Sequence, residues 1–241
     1  FVRVETRFEN KCRDHRLRAW FPLPEPASTS RAECAFAVVE RGLEAEGGLT
    51  ERGLATFPSR RFVQAGGLTV AHEGLLEYEL VDLAGGSAGS LAVTLLRCTG
   101  MLSQKSMSYR PLPAGPLTPM EGPQQQGPQS MRYVVAVGEI DPYALVDDAF
   151  LPLQVGRARG MGDQPDTGTQ LQMSGAPVSS LRRNDGRLEL RVFNPTAEPT
   201  EVTVEGREGW LVDLKGTPLE PWSETIALRP GQIATATITE P

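Results

Sequence analysis

The sequence predicts an all-β protein of two antiparallel units, a larger one followed by a small β-sandwich. Three observations predict it. Apolar and polar residues alternate with period two through short stretches, as they do on half-buried strands. Gly (25) and Pro (20) together approach a fifth of the 241 residues, which suits many short strands joined by turns. Only residues 141–151 carry a helix signal, and nothing before residue 140 sustains a 3.6-residue period.

The opening FVRVETRFEN sets Val2, Val4, Thr6 and Phe8 on one face and Arg3, Glu5, Arg7 and Glu9 on the other. HRLRAWF repeats the pattern with Leu17, Ala19 and Phe21, and the turn-like ENKCRD between them predicts a hairpin. CAFAVVER is apolar on both faces and predicts one strand buried between layers. GLLEYELVD and SLAVTLLRC follow, joined by the glycine-rich LAGGSAG. A proline-rich stretch with three consecutive glutamines, YRPLPAGPLTPMEGPQQQGPQS (109–130), precedes the strand-like RYVVAVG. Asp141 offers an N-cap with Pro142 at the first helical position, so DPYALVDDAFL predicts a short helix ending at Pro152. Residues 155–176, polar and glycine-rich, read as a loop or weak edge strand. An Asp185–Gly186 turn then leads into RLELRVFN, and TEVTVEG pairs back on it across NPTAEP. GWLVDL, ETIAL and QIATATIT complete a small sandwich. The boundary falls around 140–150 and gives units 1–145 and 146–241.

Composition removes several functions. The net charge is −6, and lysine occurs only at Lys11, Lys105 and Lys215, whereas phosphate recognition needs clustered cations; no nucleic-acid partner is expected. No apolar run approaches the roughly 20 residues that span a bilayer, so no membrane partner is expected either. No secretory signal opens the chain, and Phe1 already lies in a strand pattern, so a missing N-terminal portion is expected. Cys12, Cys34 and Cys98 are odd in number and widely spaced, which fits thiols of a reducing compartment and predicts a cytoplasmic location. His15 and His72 share no ligand spacing and no Cys-x-x-Cys occurs, so no metal site is expected in this chain. GGSAGS at 85–90 has the glycines of a phosphate loop, but a strand pattern follows it and a hairpin turn explains it. Trp20, Trp210 and Trp222 lie in separate segments and read as core or half-core residues. No residue takes a catalytic role.

An ordered set of motifs nevertheless carries a resemblance. RVETRFENKCRDHRLRAWFP, ATFPSRRFVQAGG with LTVAHEGLLEYELV, LAVTLLRCTGMLSQ, RPLPAGPLTPMEGPQQQG, and finally RVFNPT and LRPGQIATATI occur in that order. Together they resemble the C-terminal β-domains of glycoside hydrolase family 38, the α-mannosidases and mannosylglycerate hydrolases. The resemblance implies that the first unit is a large antiparallel supersandwich of galactose-mutarotase type and the second a small terminal β-sandwich, with a partner catalytic domain N-terminal in the same chain. That domain would hold a zinc ion and a carboxylate nucleophile and cleave an α-mannoside with retention. It also implies that residues 109–130 form an ordered loop beside that domain, with Arg110, Glu121, Gln124 and Gln126 as candidate substrate contacts. An arginine fork and glutamine amides suit sugar hydroxyls or a carboxylate. A purely structural loop at a domain interface fits the same residues. The alternative to the enzyme module is a free-standing carbohydrate-binding or structural β-sandwich protein.

Overall fold

The structure is a computed structural model and describes residues 1–75, 77–157, 167–184 and 186–239. It is all-β with antiparallel sheets, as the alternation predicts. The chain divides into two compact units, Phe1–Ala35 with Val39–Leu151, and Phe36–Val38 with Pro152–Pro241.

The first unit uses β1 (Val2–Asn10), β2 (Arg16–Ala27), β3 (Ser30–Cys34), most of β4 (Ala37–Arg41) and β5 (Thr56–Pro58). It continues with β6 (Phe62–Ala65), β7 (Leu68–His72), β8 (Glu77–Ala84), β9 (Ser87–Arg97) and β10 (Gly127–Val137). A six-stranded sheet runs β1-β10-β7-β6-β3-β4, and a four-stranded sheet runs β2-β9-β8-β5. Val63, Val70, Met131 and Tyr133 of the first sheet share one core with Tyr78, Leu80, Leu91 and Val93 of the second. This shared core makes the unit a sandwich, and each fully buried Val or Leu contributes about 1.5–3 kcal/mol. Val4 and Phe8 pack on it from β1, Ala19 and Phe21 from β2.

The opening strands do not form the expected hairpin. β1 pairs with β10 and β2 with β9, so the turn between them carries the chain from one sheet to the other. Polar anchoring explains the change of direction. Asn10 is buried at the end of β1 and donates from Nδ2 to the carbonyls of Gln124 (3.1 Å) and Gln125 (3.0 Å), while Asp14 takes a positive φ of 50°. CAFAVVER likewise holds two strand ends rather than one strand: β3 stops at Cys34 and β4 starts at Ala37, with Phe36 between them at φ 63°.

Helix α1 (Pro142–Phe150) forms where its cap predicts: the Asp141 carboxylate accepts from the backbone amides of Tyr143 (2.9 Å) and Ala144 (3.4 Å). It packs through buried Leu145 and Val146, and Tyr143 meets Phe62 edge to face at 5.2 Å. The Arg61 guanidinium lies over the same tyrosine ring and pairs with both oxygens of Glu33, which is fully buried. Burial and the neighbouring Glu33 push the Tyr143 hydroxyl well above its ordinary pKa.

The second unit holds β11 (Met173–Ser174), β12 (Val178–Asn184), β13 (Arg187–Phe193), β14 (Thr200–Val212), β15 (Pro218–Leu228) and β16 (Ile233–Ile238). Its sheet runs β11-β14-β16-β13-β12, with β15 pairing along β14. A register shift between Thr203 and Glu208 bends β14, so TEVTVEG and GWLVDL become one long strand. Leu190, Val192, Val202, Trp222, Ile226 and Ile238 form its core. β14 does not pair with β13 across NPTAEP; β13 lies between β12 and β16. The buried Asn194 side chain turns the chain away, accepting from Thr196 N (3.0 Å) and donating to the carbonyls of Glu198 (2.7 Å) and Arg229 (3.2 Å). Of the stretch 155–176, residues 158–166 lie outside the described residues, as does Asp185 of the expected turn; Met173–Ser174 forms a two-residue edge strand.

Candidate functional site

The proline-rich stretch folds back against residues 100–103. The Ser103 hydroxyl, buried, accepts from the amides of Ala114 (3.0 Å) and Gly115 (3.3 Å), and Leu102 N donates to Thr118 O at 2.9 Å. Proline fixes φ along this stretch and lowers the entropy lost on ordering it. A 3-10 turn at Gly122–Gln124 follows, and β10 begins at Gly127, so the end of the stretch is strand rather than loop.

Three of the four predicted contact residues gather on the β1–β2 turn. Gln124 is 1% exposed, and both ends of its amide are engaged by Asp14. Its Oε1 accepts from Asp14 N and its Nε2 donates to Asp14 Oδ1, each at 2.9 Å. Glu121 pairs with Arg13 through both carboxylate oxygens at 2.8 Å. Gln126 Nε2 donates to the Lys11 carbonyl at 3.3 Å. Asp14 also accepts from Gly100 N at 2.6 Å, and the Gln124 amide, followed by Gly100, holds its carboxyl below the usual aspartate range. A Cβ at Gly100 would lie 2.5 Å from Gln124 Nε2, so any side chain there would have to displace that amide.

Arg110 is tied elsewhere. It forms a two-way backbone bridge with Met107, and its guanidinium lies 3.8 Å from Glu51. Tyr109 O accepts from Arg52 N at 2.7 Å, which joins the loop to residues 48–53. The structure therefore brings Glu121, Gln124 and Gln126 to one turn and gives Arg110 a different set of partners.

Sequence reasoning passed over Asp14 and Gln125. Gln125 sits in the left-handed region at φ 46°, beside a cleft of about 330 Å³ that Glu77, Thr94, Arg97 and Pro123 also line. Much of that cleft's polar capacity is already spent. Glu77 accepts from Arg16 (3.1 Å), Thr94 (2.8 Å) and Arg97 (3.0 Å), and Arg16 and Arg18 both reach Glu79. The signal that could have found Asp14 is the turn-like ENKCRD, which marked it only as the end of a hairpin turn. Nothing in the sequence shows a positive φ at one glutamine of three.

Among the described residues, no three His, Cys, Asp or Glu side chains gather to hold a metal ion. His72, the one strongly shifted histidine, is walled in rather than poised: burial pulls its pKa down to about 4.

No family model matches the chain. It is 27% identical over 257 aligned positions to the "Putative mannosylglycerate hydrolase" of Halalkalibacterium halodurans, covering 97% of this chain and 26% of that protein. A crystal structure of a glycosyl hydrolase family 38 protein from Enterococcus faecalis superposes with a TM-score of 0.72 at 25% identity. That match covers 98% of this chain and 28% of the other. An α-mannosidase from Enterococcus faecalis V583 gives 0.69 at 25% identity, covering 98% and 27%. The chain is thus similar, over nearly all its length, to a part of family 38 proteins, and it spans about a quarter of their length.

Proposed function

We propose that this chain is the non-catalytic C-terminal β-module of a zinc-dependent, retaining α-mannosidase-like glycoside hydrolase. It braces the catalytic domain and shapes the sugar and aglycone side of its site. The observation that carries the reading is the near-complete match to one quarter of family 38 proteins. The surface supports the bracing role. Leu112 and Leu117 are exposed on the proline-rich loop, Leu102 beside it, and Leu49 and Leu54 near the segment tied to it by Arg52 and Tyr109. Ordered loops that present leucines to water are suited to cover a neighbouring domain. The zinc of such an enzyme would be held by residues outside those described here, and the reacting groups with it.

Within this reading, Gln124 acts on Asp14 and so fixes the turn, while Glu121 and Gln126 line its outer edge and Arg110 steadies the leucine loop. The test is hydrolysis of an aryl α-mannoside by the longer parent protein and by this chain alone, with and without a zinc chelator. Chelator-sensitive activity in the parent and none in the isolated chain is expected. Turnover by the isolated chain, or a parent inactive on α-mannosides at saturating zinc, would overturn the reading.

A further inference from the structure

The three tryptophans divide sharply. Trp222 is in the core of the second unit, at 7% exposure, whereas Trp210, on the same pair of strands, is 47% exposed. The reason is register. Gly209 faces Trp222 across the β14–β15 ladder, and the next residue, Trp210, points to the opposite face, across from Thr237 on β16 and Pro221 on β15. Gly209 leaves no room for a side chain, because a Cβ there would lie 1.8 Å from Thr237 O. The indole of Trp210 lines a cleft of about 460 Å³ together with Arg187, Pro218, Thr237 and Thr239. That volume lies in the range of small-molecule sites, roughly 300–1,000 Å³.

This cleft differs from the one beside Gln125 in what its groups have left to give. Thr237 Oγ1 donates to the Trp210 carbonyl at 3.3 Å. The Trp210 indole N–H, the Arg187 guanidinium and the Thr239 hydroxyl take no side-chain partner among the described residues. A large flat apolar face therefore stands in a concavity beside unspent donors and a hydroxyl. A pyranose ring offers the complement: one face of C–H groups to lie on the indole, and a rim of hydroxyls for a guanidinium, an indole N–H and a threonine.

The geometry points to the Trp210 cleft as a binding site for a neutral pyranoside. Trp210 is the platform, Arg187 and Thr239 read adjacent hydroxyls, and Pro218 closes one wall. Only the choice of an α-mannoside as first probe rests on the function proposed above. Trp20 provides an internal comparison, because it is equally exposed, at 49%, but on the first unit and flanked by the Arg18 guanidinium at 5.2 Å.

The experiment is titration of the 241-residue chain with methyl α-mannopyranoside, followed through the indole N–H resonances of a 15N-labelled sample. A saturable shift of the Trp210 resonance is expected, with Trp20 and Trp222 still, and a Kd on the order of 1–10 mM for a single small ring in an open cleft. Trp210→Ala should abolish saturation, and Arg187→Gln should weaken binding about fivefold while the Trp222 resonance keeps its position and so reports an intact fold. No saturation up to about 100 mM, equal responses from Trp20 and Trp210, or binding that survives Trp210→Ala, would each overturn the assignment. A negative result leaves hydrolysis by the parent untouched, since that is scored by a separate assay.

Discussion

Ser59 gives its single hydroxyl hydrogen to the Phe62 carbonyl at 2.8 Å, so the His72 imidazole must donate from Nε2 into the same oxygen, also at 2.8 Å. A Ser–His contact of this length invites a catalytic reading, but both residues are 2% exposed and the other ring nitrogen, Nδ1, has no hydrogen-bond partner. His72 is a neutral core residue. Its folded pKa, about 4, lies below the 6.5 of an exposed histidine, so between these values the unfolded chain holds a proton that the folded chain does not. Stability from this residue is complete above about pH 6.5 and is lost as pH falls towards 4, by about 3 kcal/mol in all. Urea unfolding at pH 4.5 and pH 7 should show a steeper loss for the wild-type chain than for His72→Gln. Equal slopes would mean that His72 is not titrating from a buried neutral state.

At the scale of the element, the turn between β1 and β2 and the 3-10 turn at Gly122–Gln124 act as one piece. Gln124→Ala removes two hydrogen bonds to Asp14 and leaves a gap beside Gly100. A loss of about 2 kcal/mol at neutral pH is expected, with the Asp14 carboxyl returning towards its ordinary pKa. Denaturant unfolding and NMR titration of Asp14 check the two parts separately. An unchanged Asp14 titration would remove Gln124 from its role. Strands and helix were legible because their signals are local: alternation in β1 and β2, and an Asp141–Pro142 cap on α1. Pairing was not, because it is decided by distant partners. The same alternation in β1 serves a hairpin or a β10 neighbour equally well, and the choice lies in distant contacts: the ladder with β10 and the buried Asn10, bonded to carbonyls more than a hundred residues away. The proline-rich stretch reads as an ordered loop with Gln124 and Gln126 as candidate substrate contacts, whereas the bonds their side chains make here are to the β1–β2 turn. Which glutamine would be buried and which strained depends on one left-handed residue, Gln125, which carries no glycine to announce it.

Across the whole molecule, each unit carries its own apolar cluster, and the exposed leucines named above belong to neither. The exposed leucines of the first unit are therefore surplus to its own packing. Replacing Leu112 and Leu117 together with Asp should leave the isolated chain's unfolding within about 0.5 kcal/mol, as for ordinary surface positions. In the parent protein, the same pair should lower the thermal midpoint and the rate of α-mannoside hydrolysis together. A parent indifferent to both substitutions would show that these loops cover nothing.

Asn10 and Asn194 perform the same task in the two units, each a buried amide that accepts from the backbone N–H two residues on and donates to carbonyls across a strand end. They will not age alike. Spontaneous deamidation proceeds when the next residue's backbone nitrogen closes onto the side-chain carbonyl, and Asn194 is followed by Pro195, which has no N–H to lose. Asn10 is followed by Lys11 and has no such protection. Converted to an aspartate, Asn10 would set a negative charge against the two carbonyls it now holds. Chemical wear by this route therefore falls on the anchor beneath the Gln124 turn and spares its counterpart in the second unit.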